Sequence, residues 1–119
     1  MPERLRPRAN VLVVDDDEAI REIMAEVLRD DGYDVVCAEN GDQAMLEIRK
    51  ERTPDLVLLD LMMPVLSGWE VLEQLQANET LSRIPVVVVS AMNAPGAREH
   101  LPKPIDLQQL LATVGRLTG

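Results

Sequence analysis

Residues 11–20 read VLVVDDDEAI, four aliphatic side chains running straight into the carboxylates Asp15, Asp16, Asp17 and Glu18. An apolar run with no polar alternation marks a strand covered on both faces, as in the parallel sheet of an α/β protein. The acids that follow are harder to accommodate. Two carboxylates about 4 Å apart repel by roughly 4 kcal/mol at an effective dielectric near 20. A helix N-terminus returns only about 0.3–1 kcal/mol for each. Asp17 suits a helix N-cap and Glu18 the first turn, both facing water. Asp15 and Asp16 are left with a repulsion that the helix dipole does not offset and a bound cation would.

Outward from this stretch, apolar runs alternate with helical spacing. Residues 10–14 form the first strand. Ile20, Ile23, Met24, Val27 and Leu28 then recur at helical intervals, and Gly32 closes that helix. Residues 35–38 read as a second strand. Asn40-Gly41 opens a second helix carrying Ala44, Met45 and Ile48. Residues 56–59 are a third strand, ending at Asp60. Ser67-Gly68 opens a third helix with Trp69, Leu72 and Leu75, where Gly68 permits a turn that a side chain would obstruct. Residues 84–89 are a fourth strand, ending at Ser90. A short fifth strand, 100–103, leads to a helix carrying Leu107, Leu110, Leu111, Val114 and Leu117. This alternation predicts an open parallel sheet with helices on both faces. It also predicts one domain across residues 1–119, with 1–9 a flexible lead-in.

Composition narrows the partners. Twenty-one acids against twelve bases give a net charge of −9, which disfavours nucleic acid and anionic membranes. Of the 119 residues 46% are hydrophobic and only 2% aromatic, so Leu, Val, Ile, Met and Ala must build the core. The single cysteine, Cys37, makes no internal disulfide and suits a reducing cytoplasm. The basic start, MPERLRPRAN, has no apolar run behind it for a signal peptide or membrane helix.

In open α/β sheets the binding crevice lies at the carboxyl ends of the strands. Asp15, Asp16, Asp60, Ser90 and Lys103 therefore converge on one edge. Oxygen-only ligands call for a hard cation, and an incomplete set with room for water and a phosphate favours Mg²⁺ over Ca²⁺. An EF-hand is excluded, because the acids do not alternate through a loop ending in Glu.

Four segments in this order, VLVVDDDE, LVLLDLMMPVLSGWE, VVVVSA and LPKPID, together resemble the receiver domain of two-component response regulators across almost the whole chain. The resemblance implies a flavodoxin-like, doubly wound five-stranded sheet in the order 2-1-3-4-5. It implies a phosphorylation switch fed by a histidine kinase or a histidine phosphotransfer protein. Asp60 then resembles the phosphoacceptor, Asp15 and Asp16 the Mg²⁺ carboxylates, and the backbone carbonyl of Met62 completes the protein ligands. Ser90 stands where a hydroxyl bonds the phosphoryl group and Lys103 where a lysine pairs with it. The kinase would dock near Ile20 and Pro104-Ile105. The physics agrees, since a carboxylate attacks a phosphoryl dianion only when charge is neutralised, as Mg²⁺ and Lys103 would do. Met62 and Met92, each two residues past a site residue, would shield the acyl phosphate from water.

Two features depart from the family pattern. Only AMNAPGAREHLP, residues 91–102, separates Ser90 from Lys103, whereas a typical helix alone takes about 11 residues. Pro95 would interrupt even a short one. The helix between the fourth and fifth strands is thus expected to be missing or reduced, leaving residues 86–89 exposed on one face for a second copy or a partner protein to cover, unless a loop folds over them. His100 occupies a position where many receivers carry an aromatic switch residue, and it either replaces that switch or faces solvent.

Competing readings are a Mg²⁺-dependent haloacid-dehalogenase-like phosphatase, a flavodoxin, and a receiver-like dimerisation module with altered output. The first needs a second acid at position 62, which is Met. The second needs a Ser/Thr/Gly phosphate loop where DDDE would repel the ligand. No output domain follows Gly119, which suggests a receiver that works alone, by protein contact or by passing the phosphoryl group on.

Overall fold

The aliphatic run ahead of the acids forms β1 (Asn10–Val14), buried along its whole length. It sits inside a sheet of the order β2-β1-β3-β4-β5 with every neighbouring pair parallel. The other strands are β2 (Asp34–Ala38), β3 (Leu56–Leu59), β4 (Val86–Val89) and β5 (Glu99–Leu101). The helices are α1 (Glu18–Asp30), α2 (Gly41–Ile48), α3 (Gly68–Gln76) and α4 (Leu107–Thr118). These features come from a computed structural model that describes residues 8–50, 52–63, 66–94 and 96–119. Residues 1–7 of the lead-in and Pro95 lie outside the described residues. This is the doubly wound, flavodoxin-like arrangement expected from the alternation.

Period-two alternation splits the strand side chains between two cores. Leu12, Val14, Val57, Leu59, Val86 and Val88 pack with Met45, Ile48, Leu72 and Leu75 of α2 and α3. Val11, Val13, Leu56, Leu58, Val87 and Val89 pack with Met24, Leu28, Leu110 and Val114 of α1 and α4. Truncating any of the fully buried leucines to Ala costs about 2–5 kcal/mol.

Local signals set the helix ends. The Asp17 carboxylate accepts from the N–H groups of Ala19 and Ile20, and Gly32, at φ +95°, closes α1. Asn40 caps α2, Ser67 and Glu70 form a capping box on α3, and Asp106 caps α4. Among the described residues no helix is long and apolar enough to cross a membrane.

Three expectations need correction. β4 starts at Val86, because a 3-10 turn (Leu81–Arg83) occupies the residues before Ile84. β5 ends at Leu101, so Lys103 stands two residues past the strand, in a bend. The third concerns the missing helix. No helix lies between β4 and β5 among the described residues, yet Val86–Val89 are not exposed: all four are at most 4% accessible. The connecting loop folds back over the gap. Ala94 is buried there, and Ala97 packs on the same core with Leu72, Leu75 and Leu81. The Arg98 N–H donates to the Val86 carbonyl at 2.7 Å, seating the loop against the strand. An exposed apolar face, the reason for expecting a second copy or partner there, is therefore absent.

Candidate functional site

Sheet register brings the acids together. The Asp15 N–H donates to the Ala38 carbonyl and the Asp60 N–H to the Val14 carbonyl, so pairing continues one residue past each strand. Asp15 and Asp60 leave neighbouring strands side by side. Leu59 pairs with Val88, which puts Ser90 at the same edge. Gly68 makes this possible from the other side. A Cβ there would stand 2.6 Å from Leu61 Cα and against the Asp60 carbonyl, so only glycine lets α3 start this close to β3.

One carboxylate oxygen from each of Asp15, Asp16 and Asp60 lies within 4.8 Å of the others. Asp15 and Asp60 are buried, at 0% and 3% accessible, whereas Asp16 is exposed. Lys103 reaches in from the bend after β5. Its Nζ lies 3.0 Å from Asp15 Oδ2 and 3.6 Å from Asp60 Oδ1, and its peptide bond to Pro104 is cis. Asp15 Oδ1 also accepts the Asp17 N–H at 2.9 Å, and Asp60 Oδ1 accepts the Met62 N–H at 3.3 Å.

Electrostatics follow from this crowding. Burial and the neighbouring Asp15 charge push the Asp60 carboxyl above the usual carboxylate range, outweighing Lys103 and the Met62 N–H. Burial opposes the charge on Lys103, but the hydrogen bond and charge of Asp15, with the charge of Asp60, hold its ammonium above the ordinary lysine value. Three acids and one ammonium leave a net negative edge that a divalent cation would neutralise.

The donor set fits a small hard cation. In octahedral Mg²⁺ coordination at about 2.0–2.1 Å, opposite ligands stand about 4.0–4.2 Å apart, so oxygens within 4.8 Å of one another need draw in by less than about 1 Å. The exposure of Asp16 leaves the outward side of the cluster open to solvent.

Ser90 is buried, at 2% accessible, and its Oγ accepts the Met92 N–H at 3.3 Å. His100 is half-buried, and its Nε2 lies 2.8 Å from the Ser90 carbonyl oxygen. Met62 and Met92 are exposed at 61% and 53%, and Met63 is buried in the core. One neighbour went unnoticed in the sequence: Arg21 of α1 donates from Nη1 to the Asp15 carbonyl oxygen at 2.8 Å. Its only signal was a base in a part of the helix where acids are favoured. At position 62, where a haloacid-dehalogenase-like phosphatase needs its second acid, an apolar side chain faces solvent.

Comparisons with known proteins agree with this geometry. Residues 11–115 match the response regulator receiver domain family. The chain is similar to the response regulator MprA of Mycolicibacterium vanbaalenii, 40% identical over 116 aligned residues that cover 90% of this chain and 49% of that protein. MprA of Mycobacterium leprae is 38% identical over 90% of this chain and 50% of the relative. The chain thus spans about half the length of the curated relatives it matches. Among solved structures, Vibrio cholerae chemotaxis protein CheY4 superposes with a TM-score of 0.83 at 30% identity, covering 92% of this chain and 98% of that one. A response regulator receiver protein from Pseudomonas putida gives 0.83 at 30% identity over 93% and 97%. With sheet order, acid cluster and sequence in agreement, the chain belongs to the response regulator receiver domain family.

Proposed function

We propose that this receiver accepts a phosphoryl group on Asp60 from a phosphohistidine of a histidine kinase or histidine phosphotransfer protein. The observation that carries the reading is the convergence of the Asp15, Asp16 and Asp60 carboxylates at one sheet edge, with the Lys103 ammonium against Asp15 and Asp60. In the transfer, a carboxylate oxygen of Asp60 attacks phosphorus and the phosphorus–nitrogen bond of the donor breaks. The imidazole leaves with the bonding pair, and an acyl phosphate remains on Asp60. Phosphoryl transfer asks the protein mainly for positioning and charge.

Each residue has a part. The Met62 N–H and the Lys103 ammonium orient the Asp60 carboxylate, and Lys103 offsets charge building on the phosphoryl oxygens. Asp15, Asp16, Asp60 and the Met62 carbonyl would hold Mg²⁺, which when bound supplies the remaining positive charge for the phosphoryl oxygens. The Ser90 hydroxyl keeps its one proton free, since Oγ accepts from Met92, and so is able to donate to a phosphoryl oxygen. The donor protein would dock near Ile20 and Ile105. One turn along α1 from Ile20, a cleft of about 210 Å³ is lined by Ile23, Glu26, Val27, Asp30 and Leu107, and includes neither Ile20 nor Ile105.

Acetyl phosphate with Mg²⁺, read by intact-protein mass, tests the reading. The chain is expected to gain one phosphoryl group, lost in Asp60→Asn and without the metal. Equal labelling of Asp60→Asn overturns the assignment.

A further inference from the structure

We infer that His100 is a positioning residue for Ser90, holding its backbone by a hydrogen bond from the ring. β5 ends at Leu101, Pro102 has no N–H to offer, and the chain already bends at Lys103. The ladder therefore runs out as β4 reaches Ser90. The Ser90 N–H still finds the Leu101 carbonyl at 3.2 Å. Its own carbonyl is met by a side chain instead, His100 Nε2 at 2.8 Å. A carbonyl oxygen only accepts, so Nε2 must carry the proton, and in the neutral ring Nδ1 is the bare nitrogen. Val88 and His100 are paired across the strands, so the ring stands on the sheet face where Ala94 and the loop take the place of a helix.

The two bonds pin the peptide groups on either side of the Ser90 Cα, and so fix the Cα–Cβ direction from which Oγ swings by its one side-chain torsion. A phenyl ring at this position carries no donor and would leave the carbonyl unheld. The device is a clamp, acting on the hydroxyl through the main chain. The role rests on the proposed function of Ser90 toward the phosphoryl group, but the hydrogen bond itself is measurable without any phosphorylation.

The chain has one histidine, so ¹⁵N-detected NMR of the imidazole is unambiguous. It is expected to show the Nε2–H tautomer in the neutral ring; the Nδ1–H tautomer overturns the clamp. With acetyl phosphate and Mg²⁺, His100→Leu is expected to slow labelling at saturating donor about fivefold, the worth of one neutral hydrogen bond, with KM unchanged. His100→Gln, which retains a side-chain N–H, is expected to stay within about twofold of the parent. In Ser90→Ala the His100→Leu change should add nothing further. A Gln variant as slow as Leu, or a full additional effect in Ser90→Ala, overturns the inference. Failure of the parent chain to label would defeat the phosphoacceptor reading and leave the tautomer measurement to decide the clamp.

Discussion

Replacing Lys103 by Met keeps an unbranched side chain only one atom shorter and removes its charge, which isolates the electrostatics of the site. Only 23% of the lysine side chain is accessible, and its partners are almost fully buried. At an effective dielectric near 20, an ammonium at 3.0 Å and 3.6 Å from two carboxylates gains about 5 kcal/mol from each. Much of that offsets the desolvation of the three groups. Removing one partner from a buried pair nevertheless costs about 3–5 kcal/mol, because the others stay behind unneutralised. Partial exposure of the ammonium reduces this to about 2–4 kcal/mol. With an unfolding entropy of about 2.1 cal/mol/K per residue, the melting temperature should fall by roughly 8–16 °C.

Calorimetry in EDTA measures the loss. In millimolar Mg²⁺ the variant should recover more than the parent does, since a cation binding the acids no longer competes with an ammonium. The pH dependence has a definite sign. Because the folded-state Lys103 pKa is raised, its contribution is fully present below the ordinary lysine value and lost as pH rises through the folded one. The gap between parent and variant should therefore close at strongly alkaline pH. A melting temperature within about 2 °C of the parent in EDTA, with no extra gain from Mg²⁺, refutes the account of the site as a lysine-neutralised acid cluster.

Further expectations concern the neighbouring residues. Asp60→Asn should raise the melting temperature of the metal-free protein by a few degrees. The raised carboxyl pKa means ionised Asp60 disfavours the fold, fully above its folded-state pKa, and the advantage should shrink as pH falls through that value toward the ordinary carboxylate one. Gly68→Ala should cost about 1–3 kcal/mol by overpacking against Leu61 and the Asp60 carbonyl, measured by urea unfolding, and should also slow labelling of Asp60. Met62→Asn should shorten the life of the acyl phosphate, followed by loss of phosphoryl mass; an unchanged lifetime counts against apolar shielding.

The sheet was legible wherever burial is double-sided. β1 and β3 match their expected bounds to the residue, because every side chain from 11 to 14 and from 56 to 59 enters one of two cores. The cap at Asp17 was equally legible, and Asn40-Gly41 and Ser67-Gly68 were legible as helix openings, since each start needs a particular side chain at a particular backbone position. Ile84 misled because its side chain packs on the core while its backbone ends a turn. β5 is only three residues long and is held by pairing with β4, which leaves little periodicity to read. For Val86–Val89 the sequence left two readings, one face exposed or a loop folded over it, and offered nothing to choose between them. Their cover is a loop of small residues, and Ala94 and Ala97 carry no helical spacing to announce what they touch.

At the site, the common edge of the acids and the serine was legible because they sit at strand ends, where topology alone sets their company; Lys103 reaches the same edge from the bend two residues past β5. Arg21 and the ring-to-carbonyl bond of His100 depend on side-chain reach, which spacing along the chain does not encode.

The short crossing from β4 to β5 has a consequence for engineering. Loop closure grows only by about 0.6 kcal/mol for each doubling of length, so an amphipathic insert grafted at the exposed residues Ala91–Asn93 should be tolerated. The acid cluster and Lys103 are set by strand tips, a glycine and the bend after β5, but Ser90 takes the Met92 N–H from that crossing. An insert that keeps this one bond and the Ala94–Ala97 cover would give the flank beside β5 a new outer surface without moving the acids.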